Sequence, residues 1–303
     1  MPITFAVIKE RKSPPDSRVV LTPNSCKELL ENYPQSSILV ESSDIRAFSN
    51  AEYSDKGLEV SGDVTDAQVM IGVKEVPIDS LIADKSYFFF SHTIKKQPYN
   101  RKLLQAILKK RITLYDHETL VDSNYNRLIG FGYYAGIVGA YNGIRTIGKK
   151  YNCFKLPKAI KLRDRLELDS ALKNIMLPNL KIILTGTGRV GQGAKEVLDI
   201  MQIKKVEVKD FLTKQFEESV YVQLDVLDYV ERKDGGKASK SDFFENAKDY
   251  KSSFMKFTQV AEVFIAGHFY GKSAPYFFTR ADAKAPNFKS VSYTHLTLPT
   301  KFV

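Results

Sequence analysis

The sequence predicts an α/β fold built from two doubly wound domains of mainly parallel sheet. Two observations carry this. Short apolar runs alternate with helix-like segments through the first half of the chain, and such alternation builds parallel sheets covered by helices. In the second half, the stretch Leu180-Lys-Ile-Ile-Leu-Thr-Gly-Thr-Gly-Arg-Val-Gly-Gln-Gly-Ala194 runs from an apolar strand through glycines into a helical pattern. A chain of 303 residues is long enough for two such domains.

Taken in order, Thr4 to Ile8 reads as the first strand. Thr22 is a good N-cap and Pro23 suits the first helical position, so a helix runs to about Asn32. Strands follow at Ser37 to Val40, Val69 to Val73, Tyr87 to Phe90 and Ile112 to Tyr115. Arg101 to Lys110 is an amphipathic helix carrying Leu103, Leu104, Ile107 and Leu108 on one side. These elements make residues 1–130 the first domain.

In residues 131–150, Gly132, Gly136, Gly139 and Gly143 recur at helical spacing. Glycine weakens a helix, so close packing against another helix is expected to repay it. This predicts a long glycine-rich helix linking the two domains. The second domain covers residues 151–289, with later strands at Val206 to Val208 and Val263 to Ala266. Residues 211–257 exceed a minimal crossover. Residues 290–303 break with what precedes them and resemble adapter-derived translation, so they are expected to be a non-native tail.

The glycines define a dinucleotide-binding turn of the Rossmann type. Gly186 allows the tight turn, Gly188 lets the backbone approach a pyrophosphate, and Gly191 lets helix and strand pack closely. The N–H groups at Arg189 and Val190 open the helix and face the anion. About twenty residues past the first glycine an acid is expected to bind the adenosine ribose. Asp210, read as a strand end, is the candidate. Lys204, Lys205 and Lys209 nearby suit a 2′-phosphate instead, leaving NAD or NADP open.

Composition narrows the rest. The net charge of +10 arises from scattered lysines. Without aromatic–basic interleaving or a recognition motif, no nucleic-acid partner is expected. No apolar run is long enough for a membrane span. Cys26 and Cys153 form neither a disulfide framework nor a metal motif, which points to the cytoplasm and to no metal.

Ligands of doubly wound sheets bind outside the carboxyl ends of the strands. Lys74 and His92 stand at two such ends and would share acid and base duties, unless they are merely solvated or structural. Arg18 and Arg127 offer planar forks for a carboxylate, or are surface arginines.

The combination of Arg18 with Leu21-Thr-Pro23, Ile71-Gly-Val-Lys-Glu75, Phe90-Ser-His-Thr-Ile-Lys95 and Gly130-Phe-Gly-Tyr-Tyr-Ala-Gly136 resembles the alanine dehydrogenase and saccharopine dehydrogenase superfamily. Phe89-Phe-Ser-His-Thr-Ile-Lys95 with Gln97, and Phe264-Ile-Ala-Gly-His-Phe-Tyr270, resemble its lysine-forming saccharopine dehydrogenases, in particular the lysine–ketoglutarate reductase domain. The resemblance implies two domains with a cleft between them and an NAD(P)-dependent reaction. Lysine and 2-oxoglutarate would condense to an imine that is reduced to saccharopine, or saccharopine would be oxidised in reverse. Lys74 and His92 then fall on the acid–base pair, and Arg18 and Arg127 on substrate carboxylate binding. Gly186, Gly188, Arg189, Val190, Gly191, Asp210 and His268 fall on the cofactor site. The family continues beyond Lys289, so a C-terminally truncated chain with an incomplete second domain is expected. Two alternatives stay open, an alanine dehydrogenase and a non-catalytic dinucleotide-binding sensor.

Overall fold

The computed structural model describes residues 3–286, residue 288 and residues 292–295. The chain divides into two compact units, Met1–Gly130 and Phe131–Val303.

In the first unit the elements are β1 (Thr4–Val7), α1 (Pro23–Asn32), β2 (Ser37–Glu41), α2 (Asn50–Ser54), β3 (Glu59–Ser61), β4 (Val69–Lys74), β5 (Ser86–Phe90), α3 (Arg101–Lys109) and β6 (Thr113–Asp116). The sheet runs β3-β2-β1-β4-β5-β6, and every pairing is parallel. The chain therefore winds outward from β1 in one direction, returns, and winds outward in the other, with the reversal between β1 and β4. Successive β1 residues feed separate cores, as strand alternation demands. Ala6 joins Met70, Phe89, Leu103 and Ile107, while Val7 joins Val40, Cys26 and Tyr53. The start of α1 follows from its cap: Thr22 Oγ1 accepts the Ser25 amide at 3.1 Å. Helix α2 and strand β3 are too short to show a period in the sequence, although Ser49 and Glu52 form a capping box.

The second unit contains α4 (Gly132–Tyr151), α5 (Arg165–Lys173), β7 (Lys181–Thr185), α6 (Arg189–Ile200), β8 (Lys204–Lys205), α7 (Val208–Thr213), β9 (Val220–Leu224), α8 (Val226–Tyr229), β10 (Val230–Arg232), α9 (Lys240–Glu245), β11 (Tyr250–Ser252), α10 (Met255–Thr258), β12 (Val263–Ala266) and β13 (Ser292–His295). Its parallel sheet is ordered β13-β12-β7-β9-β8, and β10 pairs with β11 in a separate antiparallel ribbon. All five residues of β7 are buried, as expected of a strand covered on both faces.

Three expectations need correction. The strand expected at Val206 to Val208 ends early: Val206 still donates to the Tyr221 carbonyl at 2.9 Å, but Val208 already begins α7. The apparent alternation of Val206 and Val208 spans a strand end and a helix start, and the helix buries Phe211. Asp210 consequently lies in the first turn of α7, where a carboxylate suits the helix dipole. The strand beside β7 is β9, which the sequence reading did not identify. Residues 292–295, left out of the expected fold, form an edge strand parallel to β12. Residues 290, 291 and 296–303 of that tail lie outside the described residues.

Helix α4 groups with the second unit, and Gly136 is the glycine of the expected stripe that meets α6 backbone to backbone. A Cβ on Gly136 would lie 2.0 Å from the Val190 carbonyl oxygen, and one on Gly193 would lie 2.0 Å from that of Tyr133. Any side chain at either position must separate the helices. Gly136→Ala is therefore expected to lower the unfolding free energy by about 2–3 kcal/mol, measured by denaturant titration. An unchanged midpoint would show that the helices do not touch in solution as described.

Candidate functional site

In the first unit, Lys74 closes β4 and stands opposite Phe90, the last residue of β5. Its side chain is 8% exposed, and Nζ lies 5.6 Å from the centre of the Phe90 ring. Burial pushes the Lys74 ammonium below the ordinary lysine range. The positive charges of Arg18 and Lys12 push the same way, and Glu75 and Asp16 oppose them. The imidazole of His92 stacks on the same Phe90 ring with centres 6.1 Å apart. The two groups singled out in the sequence thus rest on one aromatic ring at adjacent strand ends. His92 has φ +56°, a left-handed conformation uncommon outside glycine. Such a backbone turns the residue sharply out of the strand, and Asn100 Nδ2 braces it by donating to the His92 carbonyl at 3.1 Å.

His92 has a carboxylate partner that the sequence reading missed. Glu118 Oε2 lies 3.0 Å from His92 Nδ1. Burial alone would raise the Glu118 pKa, but hydrogen bonds from His92 and Lys95 hold it below the usual carboxylate range. Glu118 also pairs with Lys95 at 3.2 Å and with Arg127 Nη1 at 3.7 Å. Arg127 is thereby drawn toward the histidine. Glu118 and Lys95, whose Nζ lies 3.2 Å from the same nitrogen, together fix the ring's orientation. The signal for Glu118 is three-dimensional, because the pair is 26 residues apart in sequence.

Arg18 is held by its own loop. Asp16 Oδ1 accepts its Nε at 2.8 Å, and Asp16 Oδ2 accepts its Nη2. The pairing lowers the Asp16 carboxyl and raises the Arg18 guanidinium. A substrate carboxylate using this edge of the fork must displace Asp16.

Lys12, 3.1 Å from Glu75 Oε1, offers a test of the electrostatics. Lys12→Met removes a charge that disfavours the Lys74 ammonium and releases Glu75 to favour it. The pKa of Lys74 should rise. The pH dependence of Lys74 modification by an amine-reactive reagent should then move alkaline. An acid shift would contradict the assignment.

The second unit carries the glycine turn. Gly186 has φ +90°, and a Cβ there would lie 2.6 Å from the Gly267 carbonyl oxygen. A Cβ on Gly191 would lie 2.1 Å from the Gly186 carbonyl oxygen, whereas one on Gly188 meets nothing within 4 Å. Two glycines are thus demanded by packing, and the third leaves an open cradle. Gly188 caps α6 without a side-chain hydrogen bond, so the first-turn amides around Arg189 and Val190 suit an anion. His268 follows β12: its Nδ1 lies 2.6 Å from Thr185 Oγ1 and its ring packs 4.4 Å from Phe277.

Asp210 pairs with Lys214 at 2.9 Å within its own helix. The acid at the end of the strand beside β7 is Asp225, directly after β9. Its Oδ2 accepts from Thr187 Oγ1, inside the glycine turn, at 3.3 Å, and from Lys240 Nζ at 2.7 Å. Its Oδ1 is buried without a hydrogen-bond partner, an arrangement that calls for a donor. The open cradle at Gly188 and this orphaned oxygen fit a dinucleotide's pyrophosphate and ribose hydroxyls. Counting about twenty residues leads to β8, but β9 occupies the position next to β7. Among the described residues no cluster of His, Cys, Asp and Glu could hold a metal ion, and no helix is long and apolar enough to cross a membrane.

Residues 6–138 match the family model described as alanine dehydrogenase/PNT, N-terminal domain. The chain is 29% identical to alpha-aminoadipic semialdehyde synthase of Arabidopsis thaliana, over 79% of this chain and 26% of that protein. It is 30% identical to the mitochondrial alpha-aminoadipic semialdehyde synthase of Mus musculus, over 82% of this chain and 29% of that protein. It is 29% identical to a Yarrowia lipolytica saccharopine dehydrogenase named as NAD(+)-dependent and L-lysine-forming, over 62% of this chain and 54% of that protein. The chain thus spans about a quarter of the synthases and about half of the dehydrogenase. Among solved structures, an L-alanine dehydrogenase shares the α/β fold with a TM-score of 0.59 at 17% identity, covering 93% of this chain and 70% of that one.

Proposed function

We propose that this chain, which belongs to the alanine dehydrogenase and saccharopine dehydrogenase superfamily, is the part of a lysine-forming saccharopine dehydrogenase that carries its acid–base groups and nucleotide turn. The observation that carries the reading is the placement of a buried Lys74 and a carboxylate-paired His92 against one Phe90 ring. That placement comes with relatives whose names specify aminoadipic semialdehyde synthesis and lysine formation.

When bound, a reduced NAD or NADP supplies the hydride. The chain's own residues handle protons and orientation. The lysine ε-amine condenses with the keto carbon of 2-oxoglutarate and releases water. Hydride and one proton then convert the imine to the secondary amine of saccharopine. Lys74, with its ammonium destabilised by burial, is suited to accept a proton from the reacting amine. His92, oriented by Glu118, is suited to donate one to the departing hydroxyl. Arg18 and Arg127 orient substrate carboxylates, Arg18 after exchanging Asp16 for the substrate. Gly186, Gly188, Arg189, Val190 and Gly191 hold the pyrophosphate, His268 flanks the turn, and Asp225, rather than Asp210, takes the ribose role. An aspartate at this position repels a 2′-phosphate and favours NAD.

Steady-state oxidation of NADH with the four combinations of lysine or ammonia and 2-oxoglutarate or pyruvate tests the reading. Turnover confined to lysine with 2-oxoglutarate is expected. Turnover confined to ammonia with pyruvate would make the protein an alanine dehydrogenase instead. Nicotinamide binding without turnover in any combination would favour a sensor.

A further inference from the structure

We propose that Glu10 and His117 are positioning residues that clamp a bulge in β4 and thereby aim Lys74. The inference rests on the reading of Lys74 as an acid–base group and adds two residues to it. Between β4 and β5 the register shifts: Ile71 faces Phe88 and Lys74 faces Phe90, so three steps on one strand match two on the other. An extra residue of this kind bends a strand and redirects the side chain that follows. It also strands the backbone groups of the bulge, which must find other partners.

Both partners are side chains. On the β1 side, the buried Glu10 carboxylate accepts the amide of Val73 at 2.6 Å through Oε1 and the amide of Lys74 at 2.9 Å through Oε2. Gly72 makes room for it, because a Cβ there would lie 3.3 Å from Glu10 Oε1 and 3.1 Å from the Ile8 side chain. From β6, His117 reaches across β5, and its Nε2 lies 3.0 Å from the Gly72 carbonyl oxygen. A carbonyl only accepts, so Nε2 carries the hydrogen. Nδ1 is then the bare nitrogen, and it is buried with no hydrogen-bond partner. Burial favours this neutral ring by pushing the His117 pKa down. The His117 amide donates to the Phe89 carbonyl at 3.2 Å, and its ring meets Phe90 edge-on at 5.2 Å. Phe90 is the ring on which Lys74 and His92 rest, so the clamp sets both the lysine's backbone and its wall.

The test compares His117→Phe, which keeps a ring but loses the donor, with His117→Gln, which keeps an N–H donor, and with Glu10→Gln. Lys74→Met is the reference. Three quantities are read: kcat, KM for the oxo acid, and the pH dependence of Lys74 modification by an amine-reactive reagent, located by peptide mass spectrometry. His117→Phe is expected to lower kcat about 10-fold with KM little changed, and to shift the modification curve of Lys74. His117→Gln should recover most of both, and Glu10→Gln should resemble His117→Phe. A His117→Phe protein with unchanged kcat and an unchanged modification curve would overturn the clamp, even if Lys74→Met is inactive. If Lys74→Met stays active while His117→Phe still shifts the curve, the clamp stands and the role given to Lys74 fails. Equal damage from His117→Phe and His117→Gln, with the modification curve unmoved in both, would reduce His117 to a packing residue.

Discussion

Lys74→Met is expected to lower kcat for lysine with 2-oxoglutarate by about 10³-fold while leaving NADH binding intact. Methionine replaces the aliphatic stem against Phe90, so the core is kept and the ammonium alone is lost. A circular-dichroism melt within a few degrees of the parent protein would confirm that folding is unaffected. His92→Gln, which leaves Glu118 with Lys95 and Arg127, is expected to cost about 10²-fold. If the two groups pass protons within one step, the double variant should be little worse than Lys74→Met, because groups acting as a unit are not additive. A Lys74→Met protein retaining a tenth of the parent rate would remove Lys74 from the chemistry.

The second large effect concerns the nucleotide. Asp225→Ser is expected to shift the ratio of NADH to NADPH affinity by about 100-fold toward NADPH, read from nicotinamide fluorescence without any substrate. The change removes a negative charge from beside the glycine turn. It also releases Lys240, now 2.7 Å from Asp225, to meet a 2′-phosphate. Asp210→Asn should change neither affinity by more than about 2-fold, since that carboxylate pairs with Lys214 on the same helix. The opposite pattern, with Asp210 controlling the ratio and Asp225 inert, would restore the assignment made by counting residues.

The contrast between these two aspartates shows what this sequence discloses. The glycine turn was legible because its requirements are local: Gly186 and Gly191 sit where a Cβ would strike backbone within the same strand–turn–helix unit or its immediate neighbour. The first helix was legible for a similar reason, since Thr22 and Pro23 state its start in adjacent residues. Strand order is not local. Val220-Tyr-Val-Gln-Leu224 reads as a strand once inspected, yet nothing in it says that it displaces β8 from the side of β7. Lys74 and His92 could be picked out as strand-end residues. That both rest on Phe90, that Glu118 returns from beyond β6 to pair with His92, and that Asp16 already occupies the fork of Arg18 are products of the folded sheet. Glu10 and His117 gave no sequence signal, because the bulge they hold exists only after β4 has paired with β5.

On the proposed reading, the ε-amine of lysine is joined to 2-oxoglutarate on the residues described. The most direct measurement uses lysine labelled with ¹⁵N at the ε position, unlabelled 2-oxoglutarate and NADH, with products resolved by mass spectrometry. A condensation product with the mass of saccharopine that retains the ¹⁵N is expected, formed with NADH oxidation and abolished by Lys74→Met. Label released as ammonia, or NADH oxidised without a labelled condensation product, would contradict it.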